Sequence, residues 1–340
     1  MKVELVDRGE QWDEFVMALA PDRSYHSWVW REVIQETFGH QPYYLAAIAN
    51  GEIQGVLPLF LIRSRLFGRS LVSIPFFSYG GVLTRNDQAK EALLERASAL
   101  GRQLGVSHVE LRQGDECSTS WGSSASRVTM EIHLPATADE FWKKLSGGVR
   151  NKIRQGQKAD FQIEWGGLNL LPSFYEVFAT NMRNLGSPVY PISFFANQLR
   201  RLGDRIRILV LRDGDQAVFG SFLTAHGDTL ELPWAASLTD SRKKYSQVTM
   251  YWLFIERAIA EGFKKIDLGR CARESGTYKF KQHWRPIERP LHWYYWLNDG
   301  ATMPNMHADN PKYKVATNIW KRLPLAVTNR LGPRVVRALP

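Results

Sequence analysis

The chain has 340 residues, of which 44% are hydrophobic and 23% are charged, a composition typical of a globular protein long enough for two domains. Its formal net charge of +10 excludes an acidic, solvating protein and favours an anionic partner such as a phosphate, a nucleic acid or a membrane surface. The two cysteines, Cys117 and Cys271, lie too far apart in the sequence for a metal or redox pair, which fits a reducing compartment.

The amino terminus and the missing motifs exclude further classes. Charged residues between Lys2 and Glu10 interrupt any apolar segment of the kind that a signal peptide needs, so we expect a cytoplasmic protein. The longest apolar run, residues 55–62, is too short to cross a bilayer and predicts a buried strand. The sequence has no P-loop, no GxGxxG, no HExxH and no GxSxG, and its histidines do not cluster at metal-ligand spacing.

The first half of the chain predicts a helix, an antiparallel hairpin, a further strand, a long helix and two more strands. Asn50-Gly51 favours a tight two-residue turn between the strands of the hairpin. The main elements are a helix at 28–38 before Gly39, strands at 43–49 and 53–62, a helix at 91–104 before Gly105, and strands at 106–111 and 128–134.

A basic segment separates this half from the next. Residues 139–160 predict a helix throughout, and its stretch 143–158 carries six basic residues and no acid. Arg150 and Arg154 are helical neighbours with Lys158 one turn further on, so this ridge could follow a diphosphate or a nucleic-acid backbone, and Lys152 is a further candidate for phosphate binding. A solvated basic helix face is the alternative.

The same order of elements returns about 160 residues later, which indicates an internal duplication. We therefore expect mixed α/β sheets in two domains, 1–140 and 161–300, joined by the connector 141–160 and followed by a tail, 301–340. Such an order is that of the acetyltransferase fold of the GNAT superfamily. The repeated elements are a helix at 193–202 before Gly203, strands at 206–211 and 216–224, a helix at 248–261 before Gly262, and strands at 263–268 and 291–297.

The tail holds seven basic residues against one acid, interleaved with apolar residues such as Ile319, Trp320 and Val327. Basic residues beside Trp and Leu are typical of a helix that lies on an anionic membrane face, which suggests peripheral contact with the inner membrane. Docking on the protein body and disorder are the alternatives. Pro324 and Pro333 predict short helical pieces.

Four segments of the chain carry a resemblance to a known family: SWVWREVIQETFGHQPYYL (27–45), RNLGSPVYPISFF (183–195), DLGRCARESGTYKFKQHW (267–284) and NPKYKVATNIWKRLPL (310–325). They resemble the FemAB-like proteins associated with exosortase and PEP-CTERM loci, which are related to Fem peptidyltransferases and BioF2-like acetyltransferases. The resemblance spans almost the whole chain and implies an acyl- or aminoacyltransferase (EC 2.3) linked to exopolysaccharide or envelope synthesis. It implies an acyl-CoA or aminoacyl-tRNA donor as co-substrate, with no tightly bound cofactor and no metal.

Acyl transfer to an amine or hydroxyl needs a donor aimed at the developing oxyanion and a way to deprotonate the nucleophile. The resemblance aligns Lys281 with a Phe-Lys lysine that Fem enzymes use near the transferred carbonyl, although the glycines that follow it there are replaced here. Lys281, Tyr278 and Asp267 are therefore the candidate catalytic residues. Residues 276–281 alternate apolar and polar, so an extended segment would place Lys279 and Lys281 on one face. A solvated lysine row is the alternative.

The remaining candidates would bind the substrate or its phosphates. Arg270 follows Asp267 at the predicted strand end, where a structural ion pair is the alternative. The others lie in three predicted loops, each of which could equally be a plain connection: Tyr79 in the glycine turn 78–81, Asn184 and Tyr190 in 181–191, and Arg242 and Lys243 in 237–247. The loop 237–247 lacks the glycines that a phosphate-binding loop for coenzyme A usually has.

The sequence thus predicts a cytoplasmic tandem GNAT-fold transferase with an anionic, phosphate-bearing donor or acceptor. The alternative is a non-enzymatic adaptor of the same fold that binds a polysaccharide intermediate or a membrane assembly.

Overall fold

A computed structural model describes residues 1–22, 24–65, 67–239, 245–304 and 311–339. Its strands are β1 Lys2–Leu5, β2 Gln41–Ala49, β3 Glu52–Ser64, β4 Gly68–Val72, β5 Leu83–Thr84, β6 His108–Gln113, β7 Gly122–His133, β8 Gln162–Gly166, β9 Ile206–Asp213, β10 Gln216–His226, β11 Thr229–Ser237, β12 Lys265–Asp267, β13 Cys271–Ala272 and β14 Ile287–Leu297. Its α-helices are α1 Glu10–Leu19, α2 Val29–Phe38, α3 Asp87–Leu104, α4 Ala138–Lys144, α5 Gly147–Gln157, α6 Leu171–Leu185, α7 Ile192–Leu202, α8 Ser246–Ala260, α9 Gly276–Gln282, α10 Pro311–Arg322 and α11 Leu325–Arg337.

The chain divides into two compact units. The first unit comprises Met1–Val128 with residues 290–304 and 334–339, and the second comprises Thr129–Arg289 with residues 311–333.

The first unit is built on a mixed sheet in the order β1-β2-β3-β4-β6-β14. Its neighbouring strands are antiparallel except β4 and β6, which run parallel over three residue pairs. The hairpin of β2 and β3 turns at Asn50 and Gly51, both with positive φ, as the Asn-Gly pair predicts. The helix α3 packs Leu93, Ala97 and Leu100 into a buried core with residues of β2 and β3.

The second unit repeats this plan in the order β7-β12-β11-β10-β9-β8. Again one neighbouring pair, β11 with β12, is parallel, and it also spans three residue pairs. The helices α6 and α8 both pack against β9, β10 and β11. An aromatic cluster fills the core beneath α6, where Phe174 and Phe195 contact Phe222 and Trp234 of the sheet.

The structure confirms the duplicated order of elements but corrects the partners of the closing strands. We expected each closing strand to complete the sheet of its own half. Instead, His292–Leu297 of β14 pair with β6 in the first unit, and Glu131–His133 of β7 pair with β12 in the second unit. The alternation of side chains in each closing strand fits either sheet. It therefore predicts a strand but does not predict which strand it pairs with.

The basic connector is not one continuous helix. The helix α4 ends at Lys144, Leu145 is extended, and the Ser146 side chain accepts from the Val149 N–H to start α5. A serine before a helical stretch caps the helix and favours a new helix start. The prediction of a single helix over 139–160 is therefore wrong at Ser146. In α5, Val149 and Ile153 are buried, and the helix packs against α8.

The tail forms two helices, and its residues 311–333 belong to the second unit, where two close backbone approaches hold them. At Gly186 a side chain would collide with Thr317 of α10, and a Cβ on Gly332 of α11 would lie 2.8 Å from the Val189 nitrogen. Pro324 separates the helices as predicted, but Pro333 lies inside α11 and does not end it, which corrects that expectation. The packing at Gly332 offsets the backbone hydrogen bond that proline cannot make. In the described parts of the chain no helix is long and apolar enough to span a membrane.

Candidate functional site

The site forms in the second unit, where the parallel pairing of β11 with β12 ends at Glu231 and Asp267. Asp267 is only 5% exposed, and its Oδ1 accepts hydrogen bonds from the Thr129 hydroxyl and, at 2.8 Å, from the Gly269 N–H. Burial raises the pKa of this carboxyl group, while those two hydrogen bonds and the charge of Lys281 act in the opposite direction. Oδ2 accepts no hydrogen bond from any described residue.

Lys281 reaches this strand end from α9. The segment 276–281 is helical and not extended, because Ser275 caps it by accepting from the Tyr278 N–H. The helix turns Lys281 inward, where it is 4% exposed, and leaves Lys279 exposed, so the expectation that the two lysines share a face is wrong.

The buried ammonium group of Lys281 is held by the backbone that follows Asp267. Nζ donates to the carbonyl oxygens of Gly269 at 2.7 Å and Arg270 at 3.3 Å. Burial lowers the pKa of Lys281, and the nearby Cys271 and Asp267 partly offset this effect. Two acceptors leave one N–H of the ammonium group without a hydrogen-bond partner among the described residues.

Asp267, Gly269 and Lys281 therefore form one connected unit, which we call the acid–lysine site. The carboxylate fixes the N–H of Gly269, and the carbonyl of the same residue fixes the lysine. A cation with a remaining donor can stabilise an oxyanion, and a carboxylate with a raised pKa can accept a proton from a nucleophile. The arrangement has the two groups that acyl transfer requires, without a covalent nucleophile.

Tyr278 points away from the acid–lysine site. Its hydroxyl donates to Glu288 at 2.7 Å, and Arg273 binds the other oxygen of the same carboxylate at 2.6 Å. The hydrogen bond to Glu288 raises the pKa of Tyr278. The structure thus brings Asp267 and Lys281 together and places Tyr278 in a neighbouring, more exposed cluster.

The sequence reading missed two buried polar residues beside the site, Thr129 and Glu231. Glu231 of β11 is 1% exposed and lies in register with Asp267, with its carboxylate 3.8 Å from His226 Nε2. Burial lowers the pKa of His226 to about 3, so the histidine is neutral at pH 7 and this contact is not an ion pair. The signal was present in the sequence, since Glu231 is an acid between Leu230 and Leu232 in an otherwise apolar strand.

The basic residues of α5 lie on its outer side. Lys152 and Arg154 are exposed and Arg150 is half-buried, opposite the buried Val149 and Ile153. The guanidinium of Arg154 lies 5.4 Å from the centre of the Trp142 ring. The charged face predicted from the sequence is therefore available to an anion.

The structure distributes the other predicted binding residues across both units. Arg270 is half-buried, and its backbone carbonyl accepts from Lys281. In the second unit, Asn184 is exposed near the end of α6, whereas Tyr190 contacts the aromatic rings of Phe194 and Trp234. Tyr79 packs on Tyr25 in the first unit. Arg242 and Lys243 lie outside the described residues. No group of metal-ligating side chains occurs in the described ranges.

Comparison with known proteins identifies the fold. The family model of the acetyltransferase (GNAT) domain matches residues 143–282, a segment that includes both Asp267 and Lys281. No curated protein matches the sequence.

Solved structures match both units together. A crystal structure of FemX has a TM-score of 0.68 at 15% identity and covers 93% of this chain and 100% of its own. The C-terminal domain of a putative lysylphosphatidylglycerol synthetase from Agrobacterium fabrum has a TM-score of 0.57 at 12% identity, covering 86% and 91%. A tandem GNAT protein from the clavulanic acid biosynthesis pathway has a TM-score of 0.55 at 11% identity, covering 89% and 100%. The chain therefore has a tandem GNAT fold.

Proposed function

We propose that this protein is an acyl- or aminoacyltransferase that uses the acid–lysine site of the second unit. The observation that carries the proposal is the buried ammonium group of Lys281, held by two carbonyl oxygens beside the buried carboxylate of Asp267. The match of the GNAT acetyltransferase domain to the same segment supports it.

In this mechanism the acceptor's amine or hydroxyl attacks the carbonyl carbon of the donor. The remaining N–H of Lys281 stabilises the negative charge on the carbonyl oxygen, and Oδ2 of Asp267 takes the proton from the nucleophile. The intermediate then collapses, the bond to the donor's leaving group breaks, and Asp267 gives its proton to that group, which restores the carboxylate. Gly269 keeps the carboxylate of Asp267 and the ammonium group of Lys281 in position during both steps.

The donor and acceptor follow from the resemblance and from charge. We propose acyl-CoA or aminoacyl-tRNA as the donor and an envelope or exopolysaccharide precursor as the acceptor, in an exosortase-associated system. The exposed basic face of α5 would bind phosphate groups of either substrate.

Lys281→Met tests the proposal, since it keeps the volume of the lysine stem and removes the charge. Loss of a positioned oxyanion donor should lower turnover by about 100-fold or more. Lys279→Met is the matched control, because Lys279 lies on the same helix and is exposed. Deletion strains carrying each variant are compared by mass spectrometry of the exopolysaccharide and by accumulation of unmodified precursor.

The proposal requires that Lys279→Met restores the acyl or aminoacyl substituent and that Lys281→Met does not. If folded Lys281→Met restores the substituent at the wild-type level, the transfer site is elsewhere. If deletion of the protein leaves the polysaccharide unchanged, the adaptor alternative is favoured. Thermal-shift measurements with acyl-CoA thioesters and with aminoacyl-tRNA identify the donor.

A further inference from the structure

The outer surface of the two tail helices combines exposed apolar and basic side chains. Fifteen large apolar side chains are exposed in the described ranges, and five of them lie on α10 and α11. On α10 these are Val315 and Ile319, at 60% and 58% exposure, one helical turn apart. On α11 they begin with Val327 and Leu331, again one turn apart, at 37% and 40%.

The orientation of this surface is fixed by packing on the opposite side. Thr317 of α10 meets the backbone at Gly186, and Gly332 of α11 meets the backbone of Val189. Thr328 is 1% exposed. Because these small residues hold the inner faces of the helices, the apolar stripe of Val315, Ile319, Val327 and Leu331 faces solvent.

The charges beside the stripe have one sign. Arg322, Arg330 and Arg334 are exposed, and residues 311–337 contain no Asp or Glu. A partner that buries the stripe must therefore accept apolar side chains and supply negative charge next to them. An anionic bilayer has this chemistry, since its acyl chains take the apolar groups and its headgroups attract lysine and arginine.

We propose that the outer faces of α10 and α11 bind an anionic membrane surface, with the apolar stripe at the level of the acyl chains. This inference uses only the tail helices and does not depend on the chemistry of the acid–lysine site. Removing the tail is a poor test, because the same helices pack on the second unit. Exposed side chains are the correct targets.

Sedimentation with vesicles measures the binding. Full-length protein should bind vesicles of equal parts phosphatidylcholine and phosphatidylglycerol, and hardly bind phosphatidylcholine alone. Val327→Ser with Leu331→Ser should lower the partition coefficient at least about tenfold. Arg322→Gln with Arg330→Gln should lower it about 25-fold, since each cation near such a surface contributes about a fivefold factor.

The control variants remove similar side chains elsewhere. Leu5→Ser with Met17→Ser removes two apolar groups that are 53% and 60% exposed in the first unit, and should leave binding unchanged. Equal loss in these controls, or no binding of wild type to anionic vesicles, overturns the proposal. So does a wild-type dimer that Val327→Ser with Leu331→Ser converts to monomer in light scattering while vesicle binding is retained, since a second copy then covers the stripe.

Discussion

The two units place a buried acid at the same point of their sheets and neutralise it differently. Glu110 ends the parallel pairing of β4 with β6, as Asp267 ends that of β11 with β12. Two residues after Glu110, Arg112 donates from Nε to its carboxylate at 2.7 Å, and both side chains are almost fully buried. Two residues after Asp267 stands Gly269, which links the acid to Lys281.

The two buried acids differ in how they are paired. In the first unit Arg112 also donates to the Phe77 carbonyl and lies 4.5 Å from the centre of the Trp293 ring. Its guanidinium group therefore contacts other protein groups in addition to Glu110. In the second unit Gly269 carries no side chain, and the cation arrives from the separate helix α9. Both units therefore place a buried acid at this point, and they differ in the residue two positions later, which is arginine in the first unit and glycine in the second.

Arg112→Met should have the largest effect on stability. It leaves Glu110 buried without its cation, and we expect the free energy of unfolding of the first unit to fall by about 3–5 kcal/mol. Urea denaturation followed by tryptophan fluorescence measures the change. Adding Glu110→Leu to the same chain should recover part of the loss, because the uncompensated charge is gone. A cost below about 1 kcal/mol for Arg112→Met would contradict the role of the ion pair.

Gly269→Ala tests the other side of the comparison. Gly269 has φ of +74°, and a Cβ there would lie 3.0 Å from the Leu232 carbonyl oxygen. We expect a loss of about 1–3 kcal/mol in unfolding free energy and a larger proportional loss of turnover as the lysine shifts. Gly105→Ala is the matched control, since Gly105 also has positive φ but open space around it. Equal costs at the two glycines would show that the contact with Leu232 is irrelevant.

Asp267→Asn should change the pH dependence of stability. Because burial raises the pKa of Asp267 above its usual 3.8, the folded protein holds this proton more tightly than the unfolded chain. Its contribution to stability is complete below pH 3.8 and is lost as pH rises through the folded pKa. The wild type should therefore lose stability relative to Asp267→Asn between pH 3.8 and neutrality, measured by urea denaturation at successive pH values. A difference that does not vary with pH would contradict the raised pKa.

Arg127→Met should have the smallest effect. The Arg127 guanidinium lies 5.5 Å from the Trp293 ring that Arg112 also contacts, and burial and Arg112 lower the pKa of Arg127. Methionine keeps an apolar contact with the ring and removes the like charge, so we expect unfolding free energy to rise by up to about 1 kcal/mol. Thermal denaturation measures it. A clear loss of stability would mean that the cation contributes more through Trp293 than it loses through repulsion.

The elements that the sequence predicted correctly are those with local signals. Gly39, Gly105 and Gly203 follow α2, α3 and α7 in the structure, and the hairpin turns lie at Asn50-Gly51 and Gly214-Asp215. The failures are contacts between distant residues. Alternation at 276–281 suggested a strand, but Ser275 capped a helix, and only the fold brings Lys281 to the backbone at Gly269.

The sequence predicted two residues of the acid–lysine site, but it did not predict the contact between them. Lys281 was identified from a resemblance and Asp267 from its place at the end of a predicted strand, but the contact between them depends on the path of the chain from one to the other. Thr129, whose hydroxyl donates to Asp267, lies 138 residues earlier in the sequence. No local pattern distinguishes such a hydroxyl from an ordinary strand threonine.

The exchange of the closing strands affects the order in which the chain can fold during its synthesis. The sheet of the first unit needs residues 292–297 against β6, so it stays incomplete until those residues have left the ribosome. Until then β6 exposes an unpaired edge, which is a site for wrong association between nascent chains. Synthesis of the first 140 residues alone should therefore yield an aggregation-prone product, and the order of folding cannot follow the order of translation.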